Sequence, residues 1–177
     1  VSVSIPRQTV EVVEYIRRSE QGATRPFICR CDDGHVYYLK GRSATRATLL
    51  REWLAGCLAK GFGLPIADFS LVYVPPELAR LQSIPELGDL GSGWVFGSRD
   101  ITTSQEFTVS HIPQVPPGLQ EDIFTFDWWI RNDDRNLTEK GGNPNLLWNA
   151  SKKQVAVIDH NLAFSEDFDA LKFLQLH

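Results

Sequence analysis

Residues 126–164 read FDWWIRNDDRNLTEKGGNPNLLWNASKKQVAVIDHNLAF, and the architecture of the chain hinges on how this run divides. Its first residues continue LQEDIFTFDWWIRN, an apolar-rich run of helical length. Polar NDDRNLTEKGGNPN then breaks the pattern with Asn, Asp, Gly and Pro, the residues of loops and turns. LLW reads as a short strand and QVAVIDHNLAF as a second strand entering a turn. Asn145 and Asp159 therefore bracket a two-strand unit. Asp159 directly follows the apolar run Val155, Ala156, Val157 and Ile158, and a carboxylate ending a buried strand needs a partner.

Upstream, HIPQVPPG (residues 111–118) reads as a linker, with His111 in a loop. The first hundred residues are β-rich with one helix. TVEVVEYIRR is β-branched and reads as a strand, a helix being the alternative. PFICRC and HVYYLKG flank Asp32, Asp33 and Gly34, a hairpin signal. These runs predict a three-stranded antiparallel sheet ending near Lys40. A helix follows, capped by Ser43 or Thr45. Leu50, Leu54, Cys57 and Leu58 form its periodic face, and Gly61, Gly63 and Pro65 end it. FSLVYV is a strand, a short helix is expected around Glu77 to Gln82, and WVF is a short strand. Downstream, SEDFDALKFLQLH reads as a helix. Adjacent Trp128 and Trp129 cannot share a helix face, so one is expected in the core and one partly exposed.

The 177 residues carry 18 Lys+Arg against 22 Asp+Glu, a net charge of −4, with 42% hydrophobic and 23% charged residues. This is the profile of a globular protein of one domain, or of two small lobes sharing a cleft. The mild acidity argues against the basic footprint of broad nucleic-acid binding, so no nucleic-acid partner is expected. No apolar run approaches the ~18–20 residues of a membrane span. VSVSIPRQTV lacks the layout of a secretory signal. A soluble cytoplasmic protein without membrane association is the expectation. The 3 Cys are too few for a disulfide framework. Cys29 and Cys31 share a strand face, and without a second Cys pair they are expected as free thiols rather than zinc ligands.

Five side chains carry candidate chemistry: Lys40 ending VYYLKG, Glu52 in the first helix, Asp134 in NDDRN, Asn145 and Asp159. Singly, each has an ordinary role. A strand-end Lys discourages edge pairing, a helix Glu is a solvated charge, and loop Asp and Asn make turns. Jointly, they meet the needs of phosphoryl transfer, which relies on charge neutralisation and alignment. A Lys held by a Glu grips nucleotide phosphates, and a carboxylate orients the attacking hydroxyl. An Asn and an Asp offer hard oxygens to Mg²⁺.

The stretches YYLKG, LLREWLAGCLAKGFGLPIADF, FDWWIRNDDRNLTEKGGNPNLLW and VAVIDHNLAF resemble the HipA-like kinases, a bacterial branch of the protein-kinase-like fold. The resemblance runs from about Thr9 to Phe164. Its most diagnostic part is Asn132, Asp134, Arg135, Asn145, Leu146, Leu147, Ile158, Asp159 and His160. It implies an α+β, protein-kinase-like two-lobed fold. Residues 1–100 would be an N-lobe of antiparallel sheet plus one helix, and 101–118 a hinge. Residues 119–177 would form a short, mainly helical and incomplete C-lobe carrying the catalytic and metal loops.

The same resemblance implies ATP and Mg²⁺ as cofactors. Lys40 would bind the ATP phosphates and Glu52 would pair with it. Asp134 would be the catalytic base, and Asn145 and Asp159 the metal ligands. Phe96, Gly97 and Ser98 would lie near the adenine, and a loop containing Gly22, Thr24 and Arg25 would cover the phosphates. The implied reaction is transfer of the γ-phosphoryl to Ser or Thr of a protein. A small-molecule or lipid hydroxyl acceptor and a nucleotide-binding pseudokinase module are the alternatives. An antitoxin-like protein is the implied partner. Asp134 and Asn145 stand eleven residues apart, more than in the common kinase loop, so LTEKGG must bulge outward. Asn136 and Asn143 stay open as alternatives for the metal.

Overall fold

Alternation of inward apolar and outward polar residues builds the first unit. In the computed structural model, which describes residues 9–20, 25–42, 44–80, 84, 86–138 and 141–177, the chain separates into two compact units. The described residues 9–49 and 68–100 form one, and 50–67 and 101–177 the other. Strand β1 (Thr9–Arg18) turns Val10 and Val12 inward. Strands β2 (Phe27–Cys31) and β3 (Val36–Leu39) form the expected hairpin. Gly34, at φ 80°, sits in its turn and donates its N–H to the Cys31 carbonyl at 2.9 Å. Strand β4 (Phe69–Val74) leads through the short helices α2 (Pro76–Ala79) and α3 (Leu87–Leu90) to β5 (Gly93–Arg99).

The three expected strands are part of a larger object. The five strands close a barrel in the order β1-β2-β3-β5-β4, with β1 and β4 pairing in parallel and the other neighbours antiparallel. Closure removes the exposed edges that a three-stranded sheet would keep. Leu87 and Leu90 of α3 pack into the barrel core with Phe27, Leu39, Val72 and Val74. Cys29 and Cys31 lie in that core, where burial pushes each thiol up to about 12, so both are uncharged packing groups.

Residues 119–177, expected to be mainly helical, carry four short strands as well as helices among the described residues, and the unit they belong to also includes residues 50–67. Helix α1 (Arg46–Phe62) is capped by Thr45, whose Oγ1 accepts the Thr48 N–H at 3.2 Å; Ser43 lies outside the described residues. From Leu50 onward α1 belongs to this unit, and its buried face is Glu52, Ala55, Gly56 and Ala59. Leu50 and Leu54 are instead 54% and 52% exposed. Three of the four buried positions are small residues, which the periodicity of the larger side chains concealed.

Residues 101–118 are also not a free linker. They contribute strand β6 (Ser104–Glu106) and a 3-10 helix (Val109–Gln114), and Phe107, His111 and Val115 are buried. His111 stacks on Trp148 at 5.3 Å and accepts the Thr108 N–H on Nδ1 at 3.0 Å, so it is a packed residue. Helix α4 (Pro117–Trp129) follows. Trp128 and Trp129 are both exposed, at 40% and 54%, because α4 buries Ile123, Phe126 and Asp127 instead. Strands β7 (Asn136–Thr138) and β8 (Gly141–Asn143) form a small hairpin. Strands β9 (Leu146–Asn149) and β10 (Gln154–Val157) join β6 in a sheet ordered β10-β9-β6. Helix α5 (Ala170–Leu176) is capped by Asp169, which accepts the Leu171 and Lys172 N–H groups.

Gly41, next to Lys40, tests the tightness of the first unit. A Cβ there would lie 2.5 Å from the Asp89 carbonyl oxygen and 2.7 Å from the Phe27 ring. A backbone oxygen cannot swing aside, so Gly41→Ala is expected to destabilise the protein by about 1–3 kcal/mol. Urea unfolding should show a lower midpoint at unchanged slope.

Candidate active site

A single buried guanidinium organises the loops that carry the candidate residues. Asp127 faces inward from the last turn of α4, fully buried, and Arg135 is 4% exposed. Arg135 Nε donates to Asp127 Oδ2 at 2.6 Å. Arg135 Nη1 donates to the carbonyls of Pro144, Asn145 and Ile158 over 2.5–3.4 Å. Nη2 lies 3.4 Å from His160 Nε2, which must act as acceptor because guanidinium nitrogens only donate. Asn132 Nδ2 donates to Asp127 Oδ1 at 2.8 Å, and His177 Nε2, 2.9 Å from Oδ2, donates as well. Burial alone would raise the Asp127 carboxyl. The Arg135 charge, with the His177, Arg135 and Asn132 hydrogen bonds, reverses this and holds it well below the usual carboxylate range.

This arrangement ties the beginning of β9 to the end of β10. Leu146 and Val157 pair across the hairpin, and the Ile158 N–H donates to the Asn145 carbonyl at 3.0 Å. Asn145 and Asp159 thus flank the same end of the hairpin. Both adopt the left-handed region, at φ 45° and 54°. Asn and Asp tolerate that region better than other side-chain-bearing residues, though it still costs about 1–3 kcal/mol each. Arg135 binds the carbonyls of Asn145 and of Ile158, beside Asp159, and so helps to hold both conformations.

Asp134 lies one residue before Arg135. Its Oδ2 accepts Asn145 Nδ2 at 3.0 Å and Asn143 Nδ2 at 2.9 Å. The long spacing is absorbed by the β7–β8 hairpin, in which Asn136 pairs with Asn143. The inserted residues therefore return the chain to where it departed. Behind Asp159, the His160 N–H donates to Glu52 Oε2 at 3.1 Å, and His160 packs edge-on against Phe126 at 5.9 Å. The Asn161 N–H donates to Asp159 Oδ1 at 3.2 Å. Asn161 Oδ1 and Asn132 Oδ1 are buried acceptors with no donor among the described residues.

Glu52, Asp134, Asn145 and Asp159 belong to one unit and are linked there through His160, Arg135 and backbone hydrogen bonds. Lys40 belongs to the barrel unit, half-buried directly after β3. Phe96, Gly97 and Ser98 lie within β5; Gly97 pairs with both Leu39 and Ser70, and a Cβ on it would sit 2.5 Å from Val72 Cγ2. Gly22 and Thr24 lie outside the described residues, and Arg25, beside them, is exposed at φ 42°.

Asn145 and Asp159 carry hard oxygen atoms, the donor type that Mg²⁺ takes. Among the described residues no three His, Cys, Asp or Glu side chains cluster as a metal group. Mg²⁺ is commonly held by one or two carboxylates together with substrate phosphates. The Asn145 amide oxygen and the Asp159 carboxylate could supply that pair. A separate cavity of about 560 Å³ lies beside Arg135, lined mainly by apolar side chains such as Ile123, Phe124, Leu137 and Leu146, and it includes neither Asp134 nor Asp159. Sequence reasoning missed Asp127 and the linking role of Arg135. The available signal was a lone carboxylate between Phe126 and Trp128 in an apolar helix, which implies a buried cation partner.

The sequence profile of HipA-like kinases matches residues 12–177. A search of curated protein sequences gave no match. Among solved structures, the chain is similar to the crystal structure of a Helicobacter pylori proinflammatory kinase, CtkA. The TM-score is 0.58 at 14% identity, covering 93% of this chain and 63% of that one. At that identity the likeness shows a shared fold alone. The chain thus spans somewhat under two thirds of the length of that kinase. No described helix is long and apolar enough to cross a membrane.

Removing Arg135 strands the Asp127 charge, so Arg135→Met is expected to cost about 3–5 kcal/mol, read as a lower Tm. The pH dependence has a fixed sign. Because the folded carboxyl is depressed, its stabilisation is complete above the ordinary carboxylate value near ~4. It is lost as pH falls from there toward the folded value. Asp127→Asn should flatten the acid limb of a stability–pH curve measured by denaturant unfolding.

Proposed function

We propose that this chain, which belongs to the HipA-like kinase family, is an ATP- and Mg²⁺-dependent phosphotransferase acting on a hydroxyl. The observation that carries the reading is the joint anchoring of Asp134, Asn145 and Asp159 around Arg135. Phosphoryl transfer needs this kind of fixed placement more than covalent chemistry. Asn145 and Asp159 hold the metal in this reading. Mg²⁺, when bound, neutralises and aligns the phosphates.

Asp134 orients the acceptor hydroxyl and takes its proton. The acceptor oxygen forms a bond to the γ-phosphorus, the bond from that phosphorus to the β,γ-bridging oxygen breaks, and ADP leaves. By the family resemblance, Lys40 would supply an ammonium to the phosphates, and Phe96 to Ser98 would lie near the adenine. Glu52 also fixes the turn after Asp159 through the His160 N–H. A Ser or Thr of a protein is the proposed acceptor, on the strength of the family alone.

Labelled ATP with Mg²⁺, incubated with the protein alone and with cell lysate, tests this. Label transfer is expected to fall at least ~100-fold in Asp134→Ala, the scale of general-base catalysis, and to disappear in Asp159→Ala. Nucleotide binding without transfer by the wild type would instead make the chain a pseudokinase module. A Tm unchanged by saturating MgATP would reject nucleotide binding altogether.

A further inference from the structure

We propose that Asn143, delivered by the β7–β8 hairpin, is a positioning residue that orients the Asp134 carboxylate for the acceptor; this rests on the phosphotransfer reading above. Asn136 is the pivot. Its Nδ2 donates to the Asp134 carbonyl at 3.1 Å, and its Oδ1 accepts the Asn143 N–H at 3.2 Å. Asn136 and Asn143 are also cross-strand partners. The adjoining Gly142 packs directly on Asn136: a Cβ there would lie 2.5 Å from the Asn136 carbonyl oxygen and 2.9 Å from its Oδ1. The hairpin is thus locked onto the residue that grips Asp134, and Asn143 reaches the carboxylate from it at 2.9 Å.

The two asparagine amides on Asp134 are not equivalent. Asn145 is joined through its carbonyl to Ile158 and Arg135, beside Asp159, which places it with the metal ligand. The hydrogen bonds of Asn143 go to Asn136 and Asp134 alone among the described residues. With both amides on Oδ2, the rotation of the carboxylate is restrained, and Oδ1 is the oxygen that this reading assigns to the acceptor hydroxyl. The insertion that lengthens this loop therefore supplies a second restraint on the base.

The test compares wild type, Asn143→Ala, Asn143→Gln and Gly142→Ala in labelled-phosphate transfer, with side-chain amide NMR of the intact protein. Loss of an outer partner of a reacting group lowers activity by about 10–100-fold. The expectation is that fall in kcat for Asn143→Ala and Gly142→Ala, an unchanged KM for MgATP, and partial recovery in Asn143→Gln. The Asn143 side-chain amide signals should also shift in Asp134→Ala. A kcat within twofold of wild type in Asn143→Ala overturns the inference. So does a rise in KM for MgATP at constant kcat, which would make Asn143 a nucleotide or metal ligand. A wild type that binds MgATP without transfer refutes the phosphotransfer reading instead. In that event an Asn143 signal that ignores Asp134→Ala refutes the contact as well.

Discussion

The buried ion pair of Asp127 and Arg135 is the constraint on which the candidate site depends. Burying two charges is expensive, and a buried pair is by itself weak evidence of stability. Its value here is geometric. Once Asp127 fixes Nε, the planar guanidinium has its remaining donors aimed in set directions. They meet the carbonyls of Pro144, Asn145 and Ile158 and the ring of His160. One side chain thereby sets helix α4, the loop before β9 and the turn after β10 in register. No continuous secondary-structure element joins those three.

That register gives the strained residues their setting. Asn145 and Asp159 hold left-handed backbones at the end of the β9–β10 hairpin. Strain of that kind persists only where the surroundings over-determine it. Here the surroundings include the Ile158-to-Asn145 backbone bond, the Arg135 contacts and the His160 N–H resting on the buried Glu52 carboxylate. The helix carrying Glu52 comes from far earlier in the chain, so this part of the site is assembled by packing.

Much of the secondary structure was legible. β1 and β4 follow their β-branched runs, and the Asp32–Asp33–Gly34 turn joins β2 to β3. Helix α4 and the strands β9 and β10 fall where the apolar runs place them. The errors share a cause. Residues 101–118 look like a linker because Pro113, Pro116 and Pro117 punctuate their end, yet Phe107, His111 and Val115 anchor them in a core. Helix α1 looks as though it packs through Leu50 and Leu54, yet the face it buries carries Ala55, Gly56 and Ala59. Local patterns describe what a segment can bury, and not what it meets.

The residues themselves determined which chemistry is available: one Lys, three carboxylates and several amides, in an order that resembles a kinase family. Sequence spacing also exposed the long loop between Asp134 and Asn145. Only the tertiary structure decided that a hairpin closes this loop, that five strands close into a barrel, and that Asp127 and Arg135 are the buried core of the site. Strand closure and ion pairing join residues distant in the chain, and their energies depend on desolvation, which exists only once the chain has folded around them.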